Sequence, residues 1–305
     1  MGEAAVPPHV LAPVRPRRGG VPFRGGVGRR PVIALAFRPP IDVAQLLAWF
    51  GARAIPGVER VTEGVYRRTL RVEGRPTVVE VAEIDGELRL SGADGLAGLA
   101  RRVFDLDVDP AVIAAHLRRD PLLAPMVAAR PGLRVPGAWD PFETAVRGIL
   151  GQQVAVGAAT TLSGRLVARF GEAVDLGPGL THLFPTPVAL AEADVAAIGI
   201  PRSRGRTVQV FATAIARGEV ALDARDGLDA FCRRLCELPG IGPWTASYVA
   251  MRALGEPDAF PAGDLALKQV TGLDARALEA RAEAWRPWRA YAAMHLWASL
   301  WKTAG

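Results

Sequence analysis

The chain has 305 residues, of which 50% are hydrophobic and 22% are charged. This composition is typical of a globular protein of two or three domains, and it excludes a wholly disordered chain, a coiled coil and a collagen-like fibre. Most of the formal charge of +6 comes from residues 1–30, which hold six arginines and one glutamate. The rest of the chain is nearly balanced, so its charge alone does not indicate a nucleic-acid-binding body.

The N-terminal residues 1–30 are rich in Pro, Gly and Arg and have no hydrophobic periodicity, which predicts a disordered basic tail. Such a tail would either add attraction for phosphate groups or serve only solubility. No apolar run approaches the length of a membrane span, and no secretory signal is recognisable. The two cysteines, Cys232 and Cys236, are too few for a disulfide framework or a four-cysteine metal site. We therefore expect a cytoplasmic protein without membrane association.

The region 31–118 mixes strand and helix patterns, with Asp85-Gly86 as a strong hairpin signal. It predicts a small α+β domain with an antiparallel sheet, and no catalytic constellation is recognisable in it. The predicted strands are Val32–Phe37, Val65–Val72, Thr77–Ile84 and Glu87–Leu90. The predicted helices are Ile41–Ala52, Leu96–Phe104 and Pro110–Leu117.

The region 119–305 is dominated by helical periodicity, broken by Pro and Gly turns. It predicts an all-α region in two lobes. The predicted helices are Pro141–Gln153, Ala155–Phe170, Ser203–Ala216, Leu228–Glu237, Pro243–Leu254, Asp264–Thr271, Ala275–Ala284 and Pro287–Lys302.

The most informative segment is Leu238–Ala246, which reads LPGIGPWTA. A helix ends before it, a Gly-x-Gly turn follows, and Pro243 is suited to the first position of a second helix. Glycines let a phosphate approach the turn closely, and the N–H groups at the start of the second helix face that phosphate. The pattern over 228–254 therefore predicts a helix-hairpin-helix that grips a DNA backbone.

A second informative segment is Ala259–Lys268, which reads AFPAGDLALK. Asp264 precedes an apolar-periodic run, so by itself it is explained as the N-cap of a short helix. Lys268 lies four residues later and would be an ordinary partner of Asp264 on that helix. The neighbouring motifs give Asp264 a second interpretation.

These segments together resemble the helix-hairpin-helix base-excision DNA glycosylases of the HhH-GPD superfamily, most closely the AlkA-type DNA-3-methyladenine glycosylases. The segment 142–154 (FETAVRGILGQQV) matches the first signature helix of that family, and 199–204 (GIPRSR) resembles its middle segment. The segment 285–297 matches its C-terminal helix. The resemblance extends over about residues 31–302 and is most specific from 140 onward.

The resemblance implies that Asp264 is the catalytic aspartate, which stabilises positive charge on the sugar or orients the attacking water. It implies that Trp244, Tyr248 and Trp297 form an aromatic pocket that attracts an electron-poor, flipped-out base. The other tryptophans in the C-terminal part are expected to be core residues. The family positions that contact DNA correspond to Gln152, Gln153, Leu238, Gly240, Ile241, Gly242 and Thr245.

Gln153 corresponds to the residue that fills the gap left by the flipped base, whereas Gln152 could instead cap a backbone carbonyl at its helix end. No organic cofactor is implied, but a monovalent cation, Na⁺ or K⁺, could bind the main-chain carbonyls of Cys236, Leu238 and Ile241. The four histidines are scattered without metal-ligand spacing.

Relatives that also cleave the DNA strand carry a Schiff-base lysine at the position of Trp244, so a monofunctional, hydrolytic enzyme is implied. Its expected partner is double-stranded DNA that contains alkylated purines of the 3-methyladenine type, bound by a monomer. Two alternatives stay open: a related glycosylase for deaminated or oxidised bases, and a non-catalytic DNA-damage binder.

Overall fold

The computed structural model describes residues 32–92 and 94–301, so the predicted basic tail lies outside the described residues. Its N-terminal part is a five-stranded antiparallel sheet in the order β1-β5-β4-β3-β2. The strands are β1 Val32–Leu35, β2 Glu59–Thr62, β3 Val65–Val72, β4 Arg75–Ile84 and β5 Glu87–Ser91. Two further strands, β6 Glu172–Ala173 and β7 His182–Leu183, form a short separate ribbon.

Tight turns hold the register of this sheet. The turn between β4 and β5 places Asp85 at φ 55° and Gly86 at φ 79°, which is the backbone conformation that the Asp-Gly signal predicts. Ile84 pairs with Glu87 directly across that turn. One face of the sheet packs on the helix Val43–Ala52, where Leu46, Trp49 and Phe50 are buried.

Helices make up most of the remaining described chain, which confirms the predicted fold class. They are α1 Val43–Ala52, α2 Ala97–Val103, α3 Pro110–Leu117, α4 Ala124–Ala129, α5 Pro141–Leu150, α6 Val156–Phe170, α7 Pro187–Glu192, α8 Arg202–Ala216, α9 Leu228–Cys236, α10 Pro243–Val249, α11 Leu265–Thr271, α12 Ala275–Ala282 and α13 Arg289–Ser299. Short 3₁₀ turns lie at Val195–Ile198 and Glu283–Trp285. No described helix has both the length and the apolar character needed to cross a membrane.

One helix differs from its sequence prediction in a way that affects the site. The sequence predicts a single helix over Pro243–Leu254, but α10 ends at Val249 and a π-helical turn, Ala250–Leu254, follows. Gly255 then ends the turn in the left-handed conformation, at φ 74°. Because a π-turn inserts extra backbone into a helix, it changes the direction of the side chains it carries.

One continuous hydrophobic core joins the sheet to the helical region. It runs from Leu35 and Leu88 in the sheet to α13, of which every residue from Arg289 to Ala298 is buried. The two parts therefore form one packed body, and side chains from both can meet in a common site.

A buried ion network connects the sheet to α5. Arg68 of β3 donates to Glu59 Oε1 at 3.1 Å and to Glu143 Oε2 at 2.7 Å. Arg147 donates to Glu59 Oε2 at 3.1 Å and to Glu143 Oε1 at 3.2 Å. The hydroxyl of Tyr66 also donates to Glu59, at 2.7 Å. We call Glu59, Arg68, Glu143 and Arg147 the interdomain ion network.

Burial and charge act against each other in this network. Burial by itself raises the pKa of Glu59, but the guanidinium groups of Arg147 and Arg68 outweigh it and lower that pKa. The paired carboxylates in turn raise the pKa of Arg68 and Arg147 despite burial. Each charge in the network therefore depends on its partners.

A second contact joins the two parts of the molecule around Asp105, in the turn after α2. The hydroxyl of Tyr291 donates to Asp105 Oδ2 at 2.8 Å, and the backbone N–H of Val135 donates to the same oxygen at 3.2 Å. Burial raises the pKa of Asp105 to about 6 and also raises that of Tyr291. Asp105 is thus far more easily protonated in the folded protein than in the unfolded chain.

The ion network supports a prediction about stability. We expect Arg68→Met to lower the free energy of unfolding by about 3–5 kcal/mol, because it leaves two buried carboxylates with only Arg147 to compensate them. Urea unfolding measures the change. The control is Arg217→Met, which removes an exposed ion pair with Glu219. Its expected effect is below about 1 kcal/mol, and equal effects of the two substitutions would contradict the prediction.

Asp105 supports a prediction about pH. Its pKa is higher in the folded protein than in the unfolded chain, so the stabilisation by its protonated form is lost as the pH rises from about 4 to about 6. Asp105→Asn should abolish that loss and stabilise the protein above pH 6, by at most about 3 kcal/mol. Urea unfolding at several pH values measures the difference between the two proteins. A difference that does not grow between pH 4 and pH 6 would refute this.

Candidate functional site

Asp264 lies at the N-terminus of α11, as the local sequence predicts. Its Oδ1 accepts hydrogen bonds from the backbone N–H groups of Ala266 at 3.0 Å and Leu267 at 3.1 Å. The residue is therefore an N-cap, and the side chain is half-buried. Capping accounts for one of its two oxygen atoms only.

Two tryptophans donate to the same carboxylate. The indole N–H of Trp297 on α13 reaches Asp264 Oδ1 at 3.0 Å, and the indole N–H of Trp244 on α10 reaches Oδ2 at 3.0 Å. Hydrogen bonds to a carboxylate are among the stronger ones in proteins. Four N–H groups from three helices thus fix the orientation of one carboxylate, which is more than a helix cap requires.

The aromatic residues predicted for the pocket lie next to this carboxylate. The rings of Trp244 and Tyr248 are stacked, with centroids 5.4 Å apart and an interplanar angle of 15°. Both are half-buried, whereas Trp297 is only 9% exposed and presents mainly its indole edge to Asp264. The structure therefore brings Asp264, Trp244, Tyr248 and Trp297 together in one place.

The N-terminal domain also contributes to the site, although its sequence shows no catalytic constellation. The ring of Trp49, on α1, lies 6.0 Å from that of Trp297, and the guanidinium carbon of Arg53 lies 3.4 Å from the ring centroid of Trp49. Trp49 and Arg53 are one helical turn apart, which is the only sequence signal that could have pointed to the pair. Nothing in that spacing indicates that they meet residues about 200–250 positions later.

A second arginine comes from the π-helical turn. Arg252 is buried, and its guanidinium carbon lies 4.8 Å from the ring centroid of Trp49 and 5.8 Å from that of Tyr248. It also donates to the hydroxyl of Tyr248 at 3.3 Å. Burial lowers the pKa of Arg53 to about 9 and lowers that of Arg252 too. A pKa of about 9 keeps Arg53 a cation at neutral pH, as arginine side chains in proteins generally are.

The predicted hairpin connects α9 to α10. Gly240 has φ 88°, and a Cβ on it would lie 2.0 Å from the Thr207 hydroxyl, so no larger residue fits there. Ile241 N–H donates to the carbonyl of Leu238 at 3.1 Å. The side chains of Ile241 and Thr245 are buried, so only their backbone can face a ligand at the turn. The first turn of an α-helix leaves such backbone N–H groups without intrahelical acceptors.

The two glutamines after α5 have different environments. The side-chain amide of Gln152 donates to the carbonyl of Gly240 at 3.0 Å and to the Thr245 hydroxyl at 2.9 Å. Arg204 of α8 donates to the carbonyl of Gln152 at 2.8 Å. Gln153, by contrast, is exposed and has φ 57°. Gln152 thus ties the end of α5 to the hairpin, and Gln153 projects beyond it.

Two family models match the chain. That of the AlkA N-terminal domain matches residues 32–140, and that of the HhH-GPD superfamily base excision DNA repair proteins matches residues 146–289. DNA-3-methyladenine glycosylase 2 of Escherichia coli (strain K12) is 36% identical over 276 residues, which are 86% of this chain and 95% of that protein. The chain belongs to the AlkA-type branch of the HhH-GPD superfamily. The resemblance inferred from the sequence motifs is confirmed.

Other comparisons agree with this assignment. The probable bifunctional transcriptional activator/DNA repair enzyme AlkA of Mycobacterium tuberculosis (strain H37Rv) is 41% identical over 281 residues, and the match spans 88% of this chain and 57% of that protein's length. Among solved structures, the 3-methyladenine DNA glycosylase from Archaeoglobus fulgidus has a TM-score of 0.75 at 23% identity, over 88% of this chain and 97% of that one. This last likeness shows a shared HhH-GPD fold.

The contacts of Gln152 support a prediction. Gln152→Leu keeps the approximate size of the side chain but removes both hydrogen bonds to the hairpin, so we expect a loss of about 1–2 kcal/mol in the free energy of unfolding. The matched control is Gln269→Leu, at an exposed position on α11. Chemical denaturation measures both variants. Similar losses in the two would show that the Gln152 bonds contribute nothing specific.

Proposed function

We propose that this protein is a DNA glycosylase that removes alkylated bases, chiefly purines of the 3-methyladenine type, from double-stranded DNA. The observation that carries the proposal is the Asp264 carboxylate, held by the indole groups of Trp244 and Trp297 beside the stacked ring of Tyr248. The name of the E. coli relative supports this substrate class, and that of the M. tuberculosis relative supports a role in DNA repair.

The chemistry begins with access to the scissile bond. A base inside a duplex is shielded by its neighbours, so it must leave the stack before a side chain can act on its sugar. In our proposal the flipped base enters against Trp244 and Tyr248, and the exposed Gln153 fills the gap in the duplex. The left-handed backbone conformation of Gln153 directs its side chain away from α5. The hydrogen bonds of Gln152 to the hairpin hold the turn after α5 in place.

Asp264 then acts on the sugar. When the bond between C1′ and the base nitrogen breaks, positive charge develops on the sugar, and a fixed carboxylate stabilises it. Water adds to C1′ and gives up a proton, which leaves a free base and an abasic site. Because two indole groups already orient Asp264 in the free protein, little reorganisation is needed when the charge appears.

The hairpin serves as the grip on the DNA backbone. A phosphate would approach the backbone of Gly240, Ile241 and Gly242 and the first turn of α10. We propose that a monovalent cation, Na⁺ or K⁺, is held there by the carbonyl oxygens of Cys236, Leu238 and Ile241. Carbonyl oxygens suit such a cation, and the Leu238 oxygen, which accepts one hydrogen bond, keeps a second lone pair. The bound cation would offset phosphate charge.

We further propose a monofunctional enzyme that acts as a cytoplasmic monomer. A lyase needs an amine that attacks C1′ to form a Schiff base. The residue at the position of that lysine is Trp244, whose indole nitrogen is engaged with Asp264. The sequence has only two lysines, Lys268 and Lys302.

The proposed function is tested with Asp264→Asn. Asparagine caps helices about as well as aspartate, but its amide group cannot accept the hydrogen bond from Trp244, so we expect the free energy of unfolding to fall by about 1–2 kcal/mol. Release of 3-methyladenine from alkylated duplex DNA, measured by chromatography, should fall at least about 100-fold because the anion is gone. Asp274→Asn is the matched control, since Asp274 caps α12 through Ala277 N–H and has no place in the proposed site. No release by the wild type, or equal release by wild type and Asp264→Asn, would refute the proposal.

The absence of lyase chemistry is tested separately. With sodium borohydride present during turnover, we expect no covalent protein–DNA adduct on a denaturing gel, because no amine attacks the sugar. A relative with an active-site lysine serves as the positive control. An adduct with the wild type that disappears in Lys268→Gln would show that the protein is a lyase and that Lys268 is its nucleophile.

A further inference from the structure

A cavity beside the aromatic pair is lined by more positive than negative groups. Four arginines and two glutamates face it, together with Trp49 and Tyr248. The two glutamates belong to the interdomain ion network and are already paired with its two arginines. The remaining cations, Arg53 and Arg252, form no ion pair with any residue in the described parts of the chain.

Arg53 and Arg252 are cations that cover aromatic faces. Arg53 stacks on Trp49 at 3.4 Å, and Arg252 lies within 6 Å of the ring centroids of both Trp49 and Tyr248. An aromatic face attracts a cation, but here the protein already supplies that cation. The two guanidinium groups therefore add fixed positive charge beside the proposed base pocket, and this charge is poorly screened in a partly buried site.

The charge of the departing base depends on the lesion. When the C1′–N bond breaks, its electron pair leaves with the base. A base that is cationic in DNA therefore departs uncharged. A base that is uncharged in DNA departs as an anion, which then takes a proton from water, while a second water adds to C1′ and releases one. Guanidinium groups without an ion-pair partner near the base stabilise a departing anion electrostatically, but they do not stabilise a departing uncharged base to the same extent.

Resting on the proposed function, we propose that Arg53, assisted by Arg252, is a specificity-determining residue that extends excision from cationic lesion bases to uncharged ones. Its positive charge stabilises the negative charge that develops on an uncharged base as it leaves. The site is thus divided: Asp264 stabilises positive charge on the sugar, and Arg53 stabilises negative charge on the base. Arg53 lies on the ring of Trp49, which packs 6.0 Å from the ring of Trp297, and Trp297 donates to Asp264, so contacts between neighbouring rings connect the two opposite charges.

The test uses the full chain and two duplexes, one with a single 7-methylguanine, which is cationic, and one with a single hypoxanthine, which is uncharged. Base release is measured with enzyme in excess. Arg53→Met and Arg53→Gln remove the charge, Arg53→Lys keeps it, and Arg217→Met removes an exposed arginine with the same change in net charge. Far-UV circular dichroism shows whether each variant is folded. Two neutral variants are used so that the test can still be made if one of them does not fold.

We expect the neutral variants to lower the rate for hypoxanthine relative to that for 7-methylguanine by about tenfold, which corresponds to about 1.4 kcal/mol of transition-state stabilisation. Arg53→Lys and Arg217→Met should keep the ratio of the two rates within about threefold of the wild type. Equal losses on both substrates would show a purely structural role and overturn the inference. Release of 7-methylguanine without any hypoxanthine by the wild type would overturn it too. No release of either base would overturn the proposed function and the inference with it.

Discussion

The interdomain ion network is the constraint on which the rest of the site depends. It fixes α5 against the sheet through Arg68, which binds Glu59 on one side and Glu143 on the other. The end of α5 carries Gln152, which binds the hairpin, and the hairpin starts the helix that carries Trp244. A shift of α5 would therefore reach Asp264 through Gln152, the backbone of the hairpin and the Trp244 hydrogen bond. Buried charges are costly unless they are fully paired, so such a network has few alternative arrangements and sets one relative position of sheet and helices.

Asp264 caps α11 and also presents its carboxylate in the proposed active site, and these two roles are compatible. As an N-cap it needs one oxygen, and the first turn of α11 holds the carboxylate at a fixed distance from the backbone. Its other oxygen is bound by Trp244, so the group is oriented from both sides. The helix cap thereby helps to preorganise the site. The stability of α11 and the proposed reaction both depend on the carboxylate of Asp264.

The parts of the site that the sequence could predict are those whose signals are local. The hairpin and the N-cap follow from turn residues and helical spacing within about 30 residues. The pocket residues Trp244, Tyr248 and Trp297 follow from the resemblance of their local motifs to those of the family. Trp49 and Arg53 could not be predicted, because they meet Tyr248 and Trp297 only through the packing of two distant regions. The π-helical turn that positions Arg252 could not be predicted either. A single inserted residue changes the spacing of apolar residues too little to be recognised in the sequence.

The fold shows the same division. The antiparallel sheet and the long helices were predictable from alternation and periodicity. The strand β2, with the sequence ERVT, was not, because its charged residues bind partners that lie elsewhere in the fold. Glu59 pairs with Arg68 of β3 and Arg147 of α5, and Arg60 donates to the carbonyl of Pro178. Short helices such as α4 and α7, of six residues each, are stabilised by the core they cover, and an isolated segment of that length gives no reliable signal.

The two glycines of the hairpin turn have separate reasons to lack a side chain. At Gly240 any Cβ would collide with Thr207, so the reason lies inside the folded chain. At Gly242 the backbone is extended, and a Cβ would meet no atom within 4 Å. The fold alone would accept almost any residue there, and an alanine scan of stability would pass over the position. The absence of a side chain at Gly242 leaves open space above the first turn of α10, where a ligand can approach the backbone closely.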